Sequence, residues 1–185
     1  MAMQSRMLAL GTVAPPFRLM DTVTHETVAL EDFAGSPALL VAFICNHCPY
    51  VKHILDGFVT FAREYMSRGL AVVAISSNDI TTHPADAPAE MAKLAQSKRF
   101  PFPYLYDESQ DVARAYDAAC TPDFFLFDAN RRLVYRGQFD GSRPGNNQPV
   151  TGADMRAAVD AVLAGKPVST AQIPSVGCSI KWKAA

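Results

Sequence analysis

Residues 38–49 read ALLVAFICNHCP, and this stretch decides how the chain folds. Ala38 to Ile44 form a continuous apolar run, which is typical of a strand buried on both faces of a sheet. Cys45 and Cys48 follow at once, separated by two residues. Pro49 comes next, and the first turn of a helix tolerates proline because an amide there has no partner within the helix. The stretch therefore predicts a buried strand that leads directly into a helix, with a C-x-x-C pair at the junction.

The segment after the pair has the pattern of an amphipathic helix. Gly69 stands where a left-handed C-terminal cap would end this helix, and Leu70–Ile75 is a second apolar run. A strand–helix–strand unit of this kind predicts two parallel strands. The apolar residues at helical spacing are Ile54, Leu55, Phe58, Phe61, Ala62 and Tyr65.

Upstream of this unit, Phe17–Met20 and Thr27–Leu30 predict an N-terminal hairpin around a polar turn. Downstream of it, residues 76–119 resemble an insertion between the second and third core strands. Within that segment we predict a helix that Asp86 and Pro88 open and that continues to Lys98, a short strand at Tyr104–Tyr106, and a helix that Asp107 caps and that continues to Tyr116.

Two more strands and a helix are predicted near the C-terminus. Phe124–Phe127 and Leu133–Tyr135 should be antiparallel because turn-forming residues separate them. Residues 151–154 resemble a capping box and predict a last helix that ends at Gly165. Together the elements predict an α/β fold with a central mixed sheet flanked by helices.

The composition limits the organisation and the partners of the chain. Its 185 residues are enough for one well-buried domain, so we expect a single domain over residues 1–185, with residues 166–185 as a C-terminal tail. Charged residues make up 19% and the net charge is −1, which argues against nucleic acid and anionic membranes as partners. The longest apolar run is too short to span a membrane, and no secretory signal is recognisable.

We therefore expect a cytoplasmic protein, in a compartment where thiols are kept reduced. Four cysteines in such a compartment point to catalysis or metal binding rather than to a framework of structural disulfides. No cofactor is expected.

The predicted position of Cys45 and Cys48 suits thiol chemistry, because free amides and the helix dipole stabilise a thiolate at a helix N-terminus. We expect Cys45 at the exposed end, where it attacks a substrate, and Cys48 about one turn inside, where it resolves the mixed disulfide. A partly protonated His47 would lower the pKa of Cys45 and make the couple more oxidising. Lys52 and His53 would add positive charge, or would be solvated or packed side chains.

A zinc- or copper-binding module is an alternative use of the same cysteines. Zinc sites usually need two more ligands at short spacing, and the sequence has no second C-x-x-C and no H-x-x-x-H. A metal would have to recruit His53, Cys120 or Cys178 from distant parts of the chain. The pair could also be two inert buried thiols.

The C-x-x-C pair that opens the helix, with Thr121-Pro122 just before the Phe124–Phe127 strand, resembles the thioredoxin fold. The resemblance implies that Pro122 is cis and lies against the cysteine pair. It also implies that the backbone of Thr121 binds a substrate strand by β-augmentation. An ordinary loop proline is the alternative for Pro122.

Residues 10–17, LGTVAPPF, and 30–35, LEDFAG, are similar to the entry segment of peroxiredoxins. The chain as a whole resembles the peroxiredoxin-like (alkyl hydroperoxide reductase/thiol-specific antioxidant-like) branch that carries C-x-x-C. This resemblance implies that Cys48 is the peroxide-reactive cysteine. Peroxiredoxins place threonine or serine where Cys45 stands and proline where Val41 stands, so the peroxide pocket is incomplete.

The leading hypothesis is therefore thiol–disulfide exchange on protein or small-molecule thiols. The alternative is a thiol peroxidase in which Cys48 forms a sulfenic acid. Either activity would draw electrons from a donor of the thioredoxin or glutathione type.

Several roles are possible for each of the two other cysteines. Cys120 lies two residues before Pro122 and could form an alternative disulfide, regulate the site, or pack as a small apolar residue. Residues 177–183, GCSIKWK, are similar to the C-terminal segment of two-cysteine peroxiredoxins, which implies that Cys178 is a resolving cysteine. A tail held to the body by its apolar side chains is the alternative. Arg136 and Arg143 would line the cysteine cleft or lie on the surface.

Overall fold

The computed structural model describes residues 1–185 and has a seven-stranded mixed sheet at its centre. The strands are β1 (Ala2–Gln4), β2 (Arg18–Asp21), β3 (Thr27–Ala29), β4 (Ala38–Phe43), β5 (Leu70–Ser76), β6 (Tyr104–Tyr106), β7 (Cys120–Thr121), β8 (Asp123–Phe127), β9 (Leu133–Tyr135) and β10 (Val176–Ser179). The helices are α1 (Pro49–Met66), α2 (Pro88–Ser97), α3 (Asp111–Ala115) and α4 (Ala153–Leu163). The central sheet has the order β3-β2-β6-β5-β4-β8-β9, and helices flank it. The predicted α/β architecture is confirmed.

The strand–helix–strand unit predicted around the cysteine pair is present as β4, α1 and β5. Every residue of both strands is buried, and the strands are parallel, with Ala38 opposite Leu70. Strand β8 pairs with the other side of β4 in the antiparallel direction. Helix α1 ends at Met66 with Ser67 as its C-cap. Gly69, with a φ of +107°, lies in the turn into β5 rather than at the predicted cap position.

Helix α1 is held on the sheet by a cluster of aromatic rings. Phe58, buried on the inner face of α1, has four rings within 6.1 Å of its own centroid. Burying a phenylalanine side chain contributes roughly 1.5–3 kcal/mol, so this cluster is a major anchor of the helix that carries the cysteine pair. The four neighbouring rings are Phe61, Phe102, Phe124 and Phe139.

The segment predicted as an insertion contributes directly to the central sheet. Strand β6 pairs with β5 in the parallel direction and with β2 in the antiparallel direction. Helix α3 is shorter than predicted and ends at Ala115. Asp107 nevertheless accepts a hydrogen bond from the Ala113 amide at 2.9 Å, so its carboxylate binds the start of this helix. The segment therefore connects the N-terminal hairpin of β2 and β3 to the core.

The predicted capping box before α4 is wrong. The N-cap is Gly152, with a φ of +68°, and no side chain caps the helix. A Cβ at this position would lie 2.5 Å from the Phe139 ring, so only glycine fits without rearrangement. Asp154 instead accepts a hydrogen bond from the Gln138 side chain.

A second, three-stranded sheet with the order β1-β10-β7 was not predicted. It forms because residues of the predicted C-terminal tail return to the body of the protein as β10. In this sheet Cys178 lies opposite Thr121 and Ser179 opposite Cys120, both in antiparallel register. The segment is therefore a strand at the cysteine site rather than a peripheral tail. No helix of the fold is both long enough and apolar enough to cross a lipid bilayer.

Candidate active site

The C-x-x-C pair occupies the turn between β4 and α1. Cys48 is the N-cap residue of α1, and both Cys45 and Cys48 have no exposed surface. The expectation that Cys45 lies at the exposed end is therefore wrong. Its Sγ atom lies 3.4 Å from Thr121 Oγ1, while Cys48 Sγ lies 3.2 Å from the Thr121 carbonyl oxygen. The Thr121–Pro122 segment covers both thiols, and its peptide bond is cis, as the resemblance implied.

Asp86 is a site residue that the sequence did not reveal. Its carboxylate is buried and accepts hydrogen bonds from the backbone amides of Asn46 at 2.8 Å and His47 at 3.1 Å. The other carboxylate oxygen lies 2.5 Å from Nδ1 of His47 and accepts a 2.9 Å bond from Asn78. Asp86 therefore holds the two residues between the cysteines in place. We expected Asp86 only at the start of α2, and no local pattern links it to residues 46 and 47.

The two thiols of the pair differ in acidity. A hydrogen bond from the Cys45 thiol to Cys48 lowers the pKa of Cys48 to about 4, and bonds from Cys178 and the Val51 amide act in the same direction. The same hydrogen bond raises the pKa of Cys45, and burial and the charge of Asp86 raise it further. Both shifts favour ionisation of Cys48 before Cys45, whereas the sequence predicted a lowered pKa for Cys45.

The geometry does not support the prediction that His47 lowers the pKa of Cys45. The Nδ1 atom of His47 lies 3.7 Å from Cys45 Sγ but much closer to Asp86, whose negative charge opposes ionisation of Cys45. The ring of His47 also packs against that of His83, with 4.6 Å between the centroids and 33° between the ring planes. Burial, and next the nearby His47, lower the pKa of His83. His83 is a second site residue that the sequence did not identify.

One set of side chains has the spacing of a metal site. Donor atoms of Cys45, His47 and Asp86 lie within 4.8 Å of one another. A thiol, an imidazole and a carboxylate together suit zinc or copper. His53, one of the predicted further ligands, instead pairs its Nε2 atom with the Ser142 hydroxyl at 2.7 Å.

The remaining cysteines lie in different environments. Cys120 is fully buried, its Sγ lies 3.6 Å from the Pro122 carbonyl oxygen, and burial raises its pKa. These features suit a packed thiol. Cys178 is half-buried, and burial followed by its hydrogen bond to Cys48 raises its pKa to about 11. Cys178 therefore shares a site with Cys45 and Cys48.

The predicted basic residues do not bind the cysteines. Arg136 donates to the Leu8 carbonyl at 2.8 Å, and Arg143 donates to the Gln138 side chain at 2.6 Å. Lys52 is exposed on α1. The charge around the pair therefore comes chiefly from Asp86.

The model of the AhpC/TSA family matches residues 10–136. The chain belongs to the AhpC/TSA family. Of curated proteins, chloroplastic peroxiredoxin Q from Triticum aestivum is 29% identical over 106 residues, which cover 57% of this chain and 45% of the relative. The match thus spans less than half of the length of that relative.

Solved structures match this chain over most or all of its length. An uncharacterised conserved protein from Geobacillus kaustophilus is 53% identical, with a TM-score of 0.98 over 100% of this chain and 97% of its own. The thioredoxin domain of a thiol-disulfide oxidoreductase from Bacteroides vulgatus is 19% identical, with a TM-score of 0.60 over 80% of this chain and 97% of its own. At that identity the second likeness concerns the fold alone, and it confirms that this AhpC/TSA-family chain has the thioredoxin fold.

Proposed function

We propose that this AhpC/TSA-family protein is a thiol–disulfide oxidoreductase with Cys45 and Cys48 as its redox-active pair. The observation that carries the proposal is the pairing of the two thiols at the N-terminus of α1, under the cis Thr121–Pro122 peptide. The pKa of Cys48 is lowered and that of Cys45 is raised, which favours Cys48 as the thiol that ionises first. One ionised and one protonated thiol in contact are suited to reversible disulfide formation.

The exchange proceeds in two steps. The Cys48 thiolate attacks one sulfur of a substrate disulfide, so that a mixed disulfide forms and the other substrate sulfur leaves as a thiolate. Cys45 then gives up its proton and attacks Cys48 Sγ. The Cys45–Cys48 bond forms, and the second substrate sulfur leaves with the electron pair. The protein has lost two electrons and the substrate disulfide has gained them.

The substrates in this proposal are protein or small-molecule thiols and disulfides, with a donor of the thioredoxin or glutathione type and the cytoplasm as the compartment. The backbone of Thr121 was expected to bind a substrate strand. In the structure β10 of the same chain already pairs with Thr121, so an incoming strand would first have to displace β10.

The test is equilibration of the protein with mixtures of reduced and oxidised glutathione, followed by acid quenching, alkylation and peptide mapping. We expect a Cys45–Cys48 disulfide whose fraction follows the glutathione ratio. Because a low pKa of Cys48 stabilises the reduced form, we expect a potential above the value of about −270 mV typical of thioredoxin. Absence of a Cys45–Cys48 disulfide at every ratio would overturn the proposal.

A thiol peroxidase is the second candidate, because the chain belongs to the AhpC/TSA family and resembles peroxiredoxin Q. In that reaction the Cys48 thiolate attacks hydrogen peroxide, forms a sulfenic acid and releases hydroxide. A second thiol then condenses with the sulfenic acid, forming a disulfide and water. Cys45 stands where the family has a hydroxyl residue, and Cys48 is fully buried, so we expect slow peroxide consumption.

Replacing Cys45 separates the two activities. An exchanger with a Cys45→Ser substitution cannot resolve its mixed disulfides, so they accumulate on Cys48. A peroxidase with a Cys45→Ser substitution still reacts with peroxide at Cys48, and it loses this reactivity only with Cys48→Ser. The metal-binding alternative, based on Cys45, His47 and Asp86, predicts stoichiometric zinc or copper in protein purified without added metal.

A further inference from the structure

Strand β10 pairs with β7, the short strand that lies next to the cysteine pair. Cys178 is the register partner of Thr121, and the Ile180 amide donates to the Ala119 carbonyl oxygen at 3.1 Å. Gly177 fits so closely that a Cβ built on it would lie 1.8 Å from the Thr121 carbonyl oxygen. The fit of β10 against β7 thus depends on a residue without a side chain.

The register also fixes the direction of the Cys178 side chain. Residues directly opposite each other in an antiparallel pair point to the same face of the sheet. The Thr121 side chain points at the pair, because its Oγ1 lies 3.4 Å from Cys45 Sγ. Cys178 therefore points to the same side, and Cys48 Sγ, 3.2 Å from the Thr121 carbonyl oxygen, lies there too. Cys178 is half-buried, whereas Cys45 and Cys48 have no exposed surface.

We propose that Cys178 is a third redox cysteine, which relays electrons from external thiols to the buried Cys45–Cys48 disulfide. The relay rests on the proposed function of the pair. It explains how a fully buried disulfide exchanges with other molecules while β10 stays in place. Strand β10 presents Cys178 to the pair as a bound substrate strand would present its own cysteine.

The relay conserves electrons at each step. The Cys178 thiolate attacks Cys48 Sγ, the Cys45–Cys48 bond breaks, and Cys45 leaves with the electron pair and takes up a proton. An external thiolate then attacks Cys178 Sγ, and Cys48 leaves as a thiolate. A second external thiolate attacks the external sulfur of the mixed disulfide on Cys178. The products are a reduced pair, a free Cys178 thiolate and an oxidised external disulfide.

The acidities of the three thiols fit this order. Cys48, with a pKa of about 4, is a good leaving group in the second step. In the reduced protein burial raises the pKa of Cys178, and the hydrogen bond to Cys48 and the charge of its thiolate raise it further. When Cys48 is in a disulfide that thiolate is absent. Cys178 then ionises more readily, at the stage when it has to attack.

The test starts from protein that carries the Cys45–Cys48 disulfide, uses reduced glutathione as the external thiol, and combines rapid acid quenching with peptide mapping. In the unsubstituted protein we expect transient Cys48–Cys178 disulfide and glutathione attached to Cys178. Cys178→Ser should slow reduction of the pair at least tenfold and should change its equilibrium with glutathione less than threefold. Glutathione attached first to Cys45 or Cys48 would overturn the relay.

Two further variants separate chemistry from structure. Gly177→Ala keeps all four cysteines but displaces β10 from Thr121, so we expect it to slow reduction as well. Ser179→Ala, on the same strand and the opposite face, should reduce at the unsubstituted rate. If all three variants form the Cys45–Cys48 disulfide and are reduced by glutathione at the rate of the unsubstituted protein, the relay is wrong and the proposed function of the pair stands. If no Cys45–Cys48 disulfide forms, the proposed function fails and the relay fails with it.

Discussion

The Nδ1 atom of His47 lies 2.5 Å from Oδ2 of Asp86, whose carboxylate has no exposed surface. The same carboxylate accepts the backbone amides of Asn46 and His47. One buried carboxylate thus fixes both the backbone and the imidazole between the two cysteines. The hydrogen bond to Cys48 and burial raise the pKa of Cys45, and the negative charge of Asp86 raises it further.

Replacing this carboxylate should change both stability and redox behaviour. In Asp86→Asn the remaining oxygen can still accept both backbone amides, but an NH₂ group replaces the oxygen that accepts from Asn78 and contacts Nδ1 of His47, and we expect a loss of about 1–3 kcal/mol in the free energy of unfolding. Without the negative charge the pKa of Cys45 falls. The reduced form is then favoured, and the couple becomes more oxidising. Urea unfolding and equilibration with glutathione measure the two effects.

Asp107→Asn is the matched control for Asp86→Asn. Asp107 is also buried and accepts the Ala113 amide, but it binds α3 rather than the cysteine turn. We expect it to lower stability and leave the glutathione equilibrium unchanged. An Asp86→Asn protein with an unaltered equilibrium constant would show that the charge of Asp86 does not act on the pair.

The ionisation of Cys48 can be followed directly by thiolate absorbance near 240 nm. The reduced protein should show an inflection near pH 4, because the Cys45 thiol donates to the Cys48 thiolate. Cys45→Ala removes this donor and should move the inflection upward, whereas Cys45→Ser keeps a hydroxyl donor and should move it less. An inflection that survives Cys48→Ser would assign the low pKa to another group.

The same shift makes the stability of the reduced protein depend on pH. The folded pKa of Cys48 is depressed, so its contribution is fully present above the unfolded value of about 8.5. That contribution is lost as the pH falls toward about 4. Unfolding of the reduced protein in urea should therefore require less denaturant at pH 5 than at pH 8. Cys48→Ser should flatten this dependence.

Asp123 is expected to make the free energy of unfolding decrease as the pH rises, which is the opposite of the effect of Cys48. It is fully buried, one of its carboxylate oxygens has no hydrogen-bond partner, and burial raises its pKa to about 6. Its folded pKa is raised, so its favourable contribution is present below about 3.9 and is lost as the pH rises through about 6. Asp123→Asn should gain stability over the unsubstituted protein between pH 4 and pH 7, by at most about 3 kcal/mol. A difference that does not vary with pH would contradict this.

The aromatic cluster under α1 provides a test of the fold. Phe58→Ala leaves a cavity among four neighbouring rings, so we expect a loss of about 3–5 kcal/mol. Ile173→Ala is a control at a position where the side chain is 56% exposed, and it should change stability much less. Thermal and urea unfolding measure both. An equally small loss for Phe58→Ala would mean that other contacts hold α1.

The sequence alone determined the local architecture around the cysteines. The run Ala38–Ile44, the helical spacing after Pro49 and the second run at Leu70 are short-range patterns, and they correctly predicted a parallel strand–helix–strand unit with the pair at its junction. The position of Thr121-Pro122 just before β8 was also predicted from the local sequence. Such features follow from hydrophobic periodicity and backbone stereochemistry, which depend only on residues close together in the sequence.

Only the tertiary structure decided which thiol carries the charge and what covers the pair. Asp86 reaches the cysteine turn from 39 residues away, and Cys178 reaches Thr121 through a strand that has no strong pattern of its own. The hydrogen bond between Cys45 and Cys48 is the largest cause of their difference in pKa, and burial, the charge of Asp86 and the bond from Cys178 also act on these pKa values. These pKa values depend on which groups lie close together in the folded protein, and the spacing of residues along the chain does not reveal that.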